Sequence, residues 1–431
     1  MDGVALTIST TRRKLCLIIL AGAMFRFGWW WVAHPAPVSD YLGYRSIAYR
    51  LFENGEYTRH GVATAFRTPG YPAFLALGML VSTADRWLSV LNVLLSIAAI
   101  PLVYGFASRI GLEQRTALVA AGIVAVSPTF ILWSPVLGSE NLQVVVLLAA
   151  WALCSKAVSS KRAMAAGVVL GIAVLVRPES IFMFAAVPFL IRISVPQWRR
   201  ILALTATTGA GLALVVAPWI VRNNVVVGPG AGLSTTGGLN FYLAHRAEGY
   251  KYVEPSETPL RGLDELQLNE KGFELGMQAI RATPTDLVRT TAHSTYELLL
   301  PPTYAAFYST RRASATPYQL GVSRGTFEFA RFGAVIGWIV GALLAGLGFI
   351  VLARTRAQRV ALLVLLAIVF ANWFCFAVVF WGMPRYRFAI EPIIAIFAAV
   401  GLDAFGRSSR AIYFFLRRRF FRLASAASNS A

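Results

Sequence analysis

The stretch VALLVLLAIVFANWFCFAVVFWGM, residues 360–383, carries no charged side chain over 24 residues. A helix needs about 20 apolar residues to cross a bilayer, so this stretch predicts a transmembrane helix. Similar stretches predict further spans at residues 15–33, 87–108, 116–137, 141–155, 163–176, 181–191, 201–221, 332–353 and 388–406. The sequence therefore predicts an all-α polytopic membrane protein with about ten transmembrane helices and short helices in its loops.

The composition supports this class. Of 431 residues, 57% are hydrophobic and 14% are charged, whereas soluble domains carry about 25% charged residues. This difference excludes a soluble enzyme, a disordered chain and a fibrous protein. The formal net charge is +20, but the basic residues are scattered between apolar runs, which argues against a nucleic-acid-binding protein.

Basic residues in short loops predict the orientation in the membrane. With the N-terminus in the cytoplasm, every short basic connection falls on the cytoplasmic side, as the positive-inside rule requires. Two long polar stretches, 34–86 and 222–331, then face the exoplasmic side. The N-terminal apolar run is too long for a signal-peptide core and is interpreted as an uncleaved signal anchor. We expect a multi-pass protein of the bacterial inner membrane with both termini cytoplasmic.

This topology divides the chain into four regions. They are a transmembrane module at 1–221 that includes the loop 34–86, a long exoplasmic loop at 222–331, C-terminal helices at 332–410, and a basic cytoplasmic tail at the membrane interface at 411–431.

Three apolar segments are short. Residues 71–82 predict an interfacial or re-entrant helix, because a further crossing there would break the orientation rule. Residues 163–176 and 181–191 predict either two spans or a re-entrant pair. Both readings leave the orientation of the later spans unchanged.

Three carboxylates lie where a predicted span meets an exoplasmic loop, namely Asp40, Glu140 and Glu179. An ionisable side chain at that depth is costly, so it is a candidate functional residue. Each also has a structural alternative. Asp40 and Glu140 are placed to cap the helices that follow them, and Glu179 is placed to pair with Arg177.

Arginines recur at the same level, at Arg67, Arg177, Arg222, Arg385 and Arg387. A planar, permanently charged guanidinium suits phosphate, and the alternative is an interfacial anchor. A carboxylate beside an arginine-lined anion site, on the side of the membrane without ATP, predicts an activated lipid phosphate ester as donor. The carboxylate would deprotonate an acceptor hydroxyl while the arginines stabilise the departing phosphate.

Other motifs favour structural roles. The three cysteines lie in apolar runs without metal-ligand or redox spacing. The glycine-rich stretch 228–238 lacks a lysine and a following helix, so a flexible turn is favoured over a phosphate cradle. Gly333, Gly337 and Gly341 form a stripe of small residues that predicts helix packing.

Six short sequence elements occur along the chain in an order that is informative about its family. They are Ser39-Asp40-Tyr41, Arg67-Thr68-Pro69-Gly70-Tyr71-Pro72, Ser139-Glu140, Arg177-Pro178, Pro218-Trp219-Ile220-Val221-Arg222-Asn223 and Arg385-Tyr386-Arg387-Phe388. Together they resemble the GT-C superfamily of polyprenyl-phosphate-sugar-dependent glycosyltransferases, and within it the aminoarabinose-transferase and protein O-mannosyltransferase branch. The resemblance covers residues 15–245 and, more weakly, the last two spans.

The resemblance implies a GT-C fold and a glycosyltransferase that moves a sugar from a polyprenyl-phosphate donor to an exoplasmic hydroxyl on a glycan, lipid or protein, with inversion. It implies Asp40 as catalytic base and Glu140 as the residue that orients the acceptor or a metal. The lipid phosphate and sugar are expected to contact Arg385, Arg387, Arg222, Arg177, Arg67, Tyr71 and Tyr44. Some family members use a divalent cation, which leaves Mg²⁺ or Mn²⁺ at Asp40 and Glu140 open.

Two other functions stay open on the sequence. An O-antigen polymerase or ligase would use arginine and histidine of a late exoplasmic loop, where His245 and His293 lie. A lipid-linked sugar flippase or transporter would need polar residues at mid-membrane, where Asn92 and Asn372 are found. The loop 222–331 is expected to recognise the acceptor or donor, and the other partners are membrane lipids, with no nucleic acid.

Overall fold

The computed structural model describes residues 2–35, 40–246, 255–301 and 322–407. In this part, helices long and apolar enough to cross a membrane are Thr10–Val32, Asp85–Arg109, Trp198–Val226, Arg324–Arg354, Arg356–Val379 and Pro384–Arg407. The prediction of a multi-pass helical membrane protein is confirmed, and the count of about ten spans stays a prediction. The predicted tail 411–431 lies outside the described residues, as do 247–254 and 302–321 of the predicted loop.

The helices are α1 Asp2–Val32, α2 Asp40–Asn54, α3 Gly70–Met79, α4 Asp85–Arg109, α5 Gln114–Val126, α6 Pro128–Trp133, α7 Glu140–Cys154, α8 Ser160–Val176, α9 Val187–Arg192, α10 Trp198–Val226, α11 Gly237–His245, α12 Glu265–Ala282, α13 Asp286–Leu299, α14 Arg324–Arg354, α15 Arg359–Trp373 and α16 391–407. Shorter elements are 3₁₀ helices at Pro178–Ala186, Pro255–Glu257, Arg356–Gln358 and Pro384–Ile390, and a π-helical turn at Phe374–Val379. Strands β1 Thr58–Arg59 and β2 Val62–Ala63 form a small antiparallel hairpin.

The predicted span 116–137 is not one helix. α5 ends at Val126, Ser127 is extended with ψ 122°, and α6 begins at Pro128. Proline disfavours a helical conformation in the residue before it and donates no backbone hydrogen bond, so the helix breaks here. The break leaves carbonyls at the end of α5 without helical partners inside an apolar core.

Arg26 of α1 binds these carbonyls. Its side chain is fully buried, and its guanidinium donates to Ala125 O at 2.8 Å, to Val124 O at 2.9 Å and to Ser96 Oγ at 2.8 Å. A cation is favourable at a helix C-terminus, where the helix dipole is negative. A charge buried inside a span is by default a functional candidate, but here it holds a broken helix in place.

The prediction that no helix follows the glycine-rich stretch was wrong, although residues 227–236 form turns and irregular structure. A helix, α11, begins at Gly237, and a Cβ on Gly238 would lie 1.8 Å from the carbonyl oxygen of Asn269 in α12. Gly272 of α12 meets the backbone of Gly238 in the same way. Glycine is required because the two backbones touch.

The small-residue stripe of α14 packs at one of its three positions. A Cβ on Gly337 would contact Pro128 at 3.1 Å, whereas nothing in the described chain lies within 4 Å of a Cβ on Gly333 or Gly341. The close backbone contact of α14 is instead at Gly348, where a Cβ would lie 1.9 Å from a carbonyl oxygen of α16.

Replacing Arg26 with Met is expected to destabilise the fold. The substitution keeps an unbranched side chain but leaves two buried carbonyls unpaired, and each such group costs about 1–3 kcal/mol. Thermal unfolding in detergent should show a clearly lower midpoint for Arg26→Met than for Arg12→Met, which changes an exposed arginine of the same helix. Equal midpoints for the two variants would show that Arg26 does not stabilise the break.

Candidate active site

A cavity of about 250 Å³ lies between the N-terminal ends of α2 and α11 and the 3₁₀ helices at Pro178–Ala186 and Pro384–Ile390. Its charged lining consists of Asp40, Arg67, Arg177, Glu179 and Arg385. The remaining lining includes Tyr44, Thr68, Phe182, Ser234, Thr236, Asn240, Phe376, Phe380, Trp381 and Tyr386. An apolar pocket with a few convergent charged groups is the usual form of a small-ligand site.

Asp40 is the first residue of α2 and contacts two guanidinium groups. One carboxylate oxygen accepts from Arg67, and the other accepts from Nη1 of Arg385 at 3.0 Å. The guanidinium of Arg67 also lies over the ring of Tyr44, with its central carbon 5.2 Å from the ring centroid. The predicted residues Asp40, Arg67, Arg385 and Tyr44 therefore meet at one wall of the cavity.

Glu140 lies behind this wall, at the start of α7. Its side chain is 1% exposed, and Oε1 accepts from Nη1 of Arg177 and from Nε of Arg385, both at 2.7 Å. Oε2 has no hydrogen-bond partner within the described part of the chain. Arg385 thus bridges Asp40 and Glu140, two of the three carboxylates that the sequence singled out.

The ion pairs form one chain of alternating charges. It runs Arg67–Asp40–Arg385–Glu140–Arg177–Glu179, and its last link joins Nε of Arg177 to Oε1 of Glu179 at 2.5 Å. Three positive and three negative groups balance. Buried ions are tolerated only when they are paired in this way, and we call the six residues the charge chain.

Gly70 brings two parts of the charge chain together. A Cβ on Gly70 would lie 2.7 Å from backbone atoms of Leu175 and Val176, so α3 starts directly against the end of α8. Arg67 precedes this contact by three residues and Arg177 follows it by one. The glycine in the Arg67–Pro72 element is therefore required for a close backbone approach.

Apart from Tyr44, the aromatic lining was not among the predicted site residues. α15 ends in the π-helical turn, which places Phe376 in the cavity against Tyr386 with ring centroids 4.6 Å apart and nearly parallel planes. Trp381 packs edge-on to Tyr386 at 5.1 Å and donates to Oδ1 of Asn240 at 3.4 Å. Pro384 was an available signal, because it ends the aromatic run and starts the 3₁₀ helix that carries Arg385.

Four predicted site residues do not line the cavity. Glu140 lies behind it, and the other three are used elsewhere. Arg387 pairs with Glu391 at 2.8 Å and donates to backbone carbonyls at the end of α13.

Arg222 and Tyr71 also lie outside the cavity lining. Arg222 donates to Thr64 O at 2.8 Å and to Tyr57 O at 3.2 Å. Tyr71 is buried, exchanges hydrogen bonds with Asn92, and packs edge-on to Tyr44 at 5.2 Å. These contacts support the residues that form the cavity wall.

The two histidines of the polymerase hypothesis lie outside the cavity lining. His245 is buried, and its Nε2 lies 3.1 Å from Val379 O. His293 lies 3.8 Å from Glu297 on the same helix, α13.

The pKa of Asp40 reflects opposing effects. Burial raises the pKa of this carboxyl, but the positive charges of Arg67 and Arg385, with a smaller contribution from Arg177, outweigh burial and hold the pKa well below its usual range. Asp40 is therefore ionised at neutral pH. An anion that shared these arginines would weaken their effect and raise the proton affinity of Asp40.

The residues present do not fit a divalent cation. Both oxygens of Asp40 and Oε1 of Glu140 accept from guanidinium groups, so a cation would face positive charge on each side. No group of three or more His, Cys, Asp or Glu side chains able to hold a metal occurs among the residues that the structure describes.

Structural comparison identifies the fold. The archaeal oligosaccharyltransferase AglB from Archaeoglobus fulgidus, in complex with an inhibitory peptide and a dolichol-phosphate, matches with a TM-score of 0.52 and 14% identity over 95% of this chain and 52% of that chain. The apo form of the Archaeoglobus fulgidus oligosaccharyltransferase matches with a TM-score of 0.55 and 13% identity over 94% and 52%. The chain therefore has the GT-C fold, as predicted, and spans about half the length of these relatives.

The family model of dolichyl-phosphate-mannose-protein mannosyltransferases matches residues 66–221. ArnT from Cupriavidus metallidurans, bound to undecaprenyl phosphate, matches with a TM-score of 0.39 and 14% identity over 93% of this chain and 78% of that chain. No curated protein sequence matches the chain significantly. The family match over residues 66–221, together with the fold matches to oligosaccharyltransferase, confirms the predicted resemblance to GT-C proteins.

Substituting Gly70 with Ala is expected to disturb the site. The new methyl group would overlap the backbone at Leu175 and Val176, and forced overpacking costs about 1–3 kcal/mol. Gly43→Ala is the matched control, because a Cβ on this helical glycine has nothing within 4 Å. Thermal unfolding should rank Gly70→Ala well below wild type and Gly43→Ala at or above it. Tolerance of Gly70→Ala would contradict the close approach.

Proposed function

We propose that this protein is a membrane glycosyltransferase that transfers a sugar from a polyprenyl-phosphate donor to the hydroxyl of a glycan, lipid or protein acceptor, with inversion at the anomeric carbon. The observation that carries the proposal is the charge chain, in which an ionised carboxylate and three arginines share one cavity. The GT-C fold and the similarity of residues 66–221 to mannosyltransferases support it.

In this proposal Asp40 is the catalytic base. The acceptor hydroxyl gives its proton to Asp40 while its oxygen attacks the anomeric carbon, and the bond from that carbon to the phosphate oxygen breaks. The products are the new glycoside and a polyprenyl phosphate that carries one more negative charge than the donor. Because the proton neutralises Asp40 as the phosphate gains that charge, the net charge of the cavity does not change.

Arg67, Arg177 and Arg385 are the proposed phosphate ligands, because they are the three arginines in the cavity lining. Charge that develops on the leaving phosphate is stabilised by donors already held in place. Arg385 and Arg67 also contact Asp40. Phosphate binding would therefore draw positive charge away from the base and strengthen it at the step where it accepts a proton.

Glu140 acts in this proposal by holding Arg385 and Arg177, both of which donate to its Oε1. Arg222, Arg387 and Tyr71 support the cavity wall through the contacts described above. No metal-dependent step is included, because the donor set does not fit a divalent cation.

We further propose that the cavity opens to the exoplasmic side of a bacterial inner membrane, with both termini in the cytoplasm. Short basic connections on the opposite side support this orientation. A donor made in the membrane and an acceptor outside the cytoplasm would meet there without nucleotide-activated sugars.

Substitution of Asp40 by Asn should abolish transfer without unfolding the protein. Loss of a general base typically costs about 10²–10⁴-fold in rate. A deletion strain complemented with each variant is analysed by mass spectrometry of lipid-linked sugars and envelope glycans. The strain that carries Asp40→Asn should accumulate the lipid-linked donor and lack the transferred sugar in its envelope glycans. The accumulated lipid identifies the donor, and the missing residue identifies the acceptor.

Asp85→Asn is the matched control. Asp85 also begins a helix and pairs with an arginine, Arg45, but does not line the cavity. It should complement fully. Complementation by Asp40→Asn together with failure of His293→Ala would contradict the proposal and favour the polymerase or ligase hypothesis. Movement of lipid-linked label without a new glycosidic product would favour a transporter.

The pH dependence of kcat/KM should show how the neighbouring arginines lower the pKa of Asp40. Its carboxyl faces Arg67 and Arg385, with Arg177 further away. In wild type the acidic limb of kcat/KM should lie below about 3.9, the pKa of an ordinary Asp. Arg67→Gln removes one positive neighbour, so the pKa of Asp40 rises and activity is lost at a higher pH. Arg45→Gln is the control, and an identical acidic limb in Arg67→Gln and wild type would rule Asp40 out as the base.

A further inference from the structure

Glu265 is a carboxylate for which no role was predicted. It is the first residue of α12, about 200 positions from the segment that it contacts. Its Oε2 accepts from Thr64 Oγ1 at 2.6 Å, and its Oε1 accepts from the backbone N–H of Ala65 and from Thr235 Oγ1, both at 2.7 Å. One side chain thus joins α12 to two separate loops.

The two loops lead directly into the cavity. Thr64 and Ala65 precede Arg67, and Thr235 lies between Ser234 and Thr236, which line the cavity. Glu265 therefore holds both walls from outside while remaining outside the lining itself.

Other hydrogen bonds fix the same segment. The backbone N–H of Thr235 donates to Ala65 O at 3.2 Å, and Ser234 Oγ donates to Phe66 O at 3.3 Å. Arg222 donates to Thr64 O at 2.8 Å from the end of α10. Three elements thus converge on residues 64–66, immediately before the arginine that contacts Asp40.

α12 is itself rigidly placed. Asp264 and Gln267 form a capping box at its N-terminus, which satisfies backbone donors reciprocally. The backbone contact between Gly238 and Gly272 locks α12 against α11. A carboxylate in the first turn is also favoured by the helix dipole, so Glu265 is a charged, fixed anchor.

We propose that Glu265 is a positioning residue for phosphate binding, which keeps Arg67 against Asp40 by fixing residues 64–66. The inference rests on the proposed function, since it assumes that Arg67 is a phosphate ligand. Glu265 touches neither substrate nor reacting atoms; it acts through Arg67.

The test is a double-mutant cycle on the binding of polyprenyl monophosphate to the full-length protein in lipid nanodiscs. Glu265→Gln removes the negative charge and replaces the oxygen that accepts from Thr64 Oγ1 by an NH₂ group that cannot accept, while one acceptor oxygen remains for Ala65 N–H and Thr235. Its Kd should rise about tenfold, the loss expected for one hydrogen bond to a charged group. Arg67→Gln should raise Kd at least as much, and the double variant should be no weaker than Arg67→Gln alone.

Glu270→Gln is the matched control, since Glu270 is exposed on the same helix, and its Kd should equal that of wild type. If Glu265→Gln unfolds, Thr235→Val and Glu265→Asp replace it in the cycle, because each weakens the same network more gently. Suppose that Arg67→Gln weakens binding. The positioning role is then overturned if the effects of Arg67→Gln and the Glu265 or Thr235 variants are additive, or if the Glu265 and Thr235 variants all bind with the wild-type Kd. A wild-type Kd for Arg67→Gln would instead contradict the proposed function.

Discussion

The rest of the site depends on the two ion pairs that the guanidinium of Arg385 makes with Asp40 and Glu140. The Arg385 side chain is 4% exposed and donates to Asp40 on one side and Glu140 on the other. Without it, Asp40 and Glu140 would each lose one of their two guanidinium partners, and Glu140, which is 1% exposed, would be a poorly compensated buried charge. Arg385 donates a charge-assisted hydrogen bond to each carboxylate, and so fixes α2, α7 and the 3₁₀ helix 384–390 relative to one another.

The position of Arg385 is set by contacts outside the cavity. Its near neighbour Arg387 points to the end of α13, where it donates to the carbonyls of Leu298 and Leu300. His245 lies against Val379 O and ties the π-helical turn to α11. The three residues of the Arg385-Tyr386-Arg387 element therefore have different contacts. One arginine contacts the carboxylates, the tyrosine forms the aromatic wall, and the other arginine anchors the segment.

The charged centre could be predicted from the sequence because membrane burial makes ionisable residues rare and therefore informative. Asp40, Arg177 and Arg385 lie at or next to the ends of helices, and Arg67 lies in the loop before α3. The sequence did not separate Arg385 from Arg387, because which of two nearby arginines faces the cavity depends on tertiary packing.

Glu265 and Arg26 were missed for different reasons. Glu265 is one of several carboxylates in a polar loop, and its partners are about 200 residues away in the chain. Arg26 lies within the predicted apolar span 15–33. Its partners, the carbonyls of Val124 and Ala125, are available only because Pro128 breaks the helix that they end. Both residues satisfy backbone or loop groups that are exposed by the fold and cannot be located from local sequence.

The most direct measurement is a cryo-EM structure of the protein in nanodiscs with polyprenyl monophosphate. The proposed mechanism predicts phosphate density within hydrogen-bond distance of Arg67, Arg177 and Arg385, with Asp40 open toward the cavity. Phosphate bound at Arg222 or Arg387 instead, with the charge chain unchanged, would contradict it.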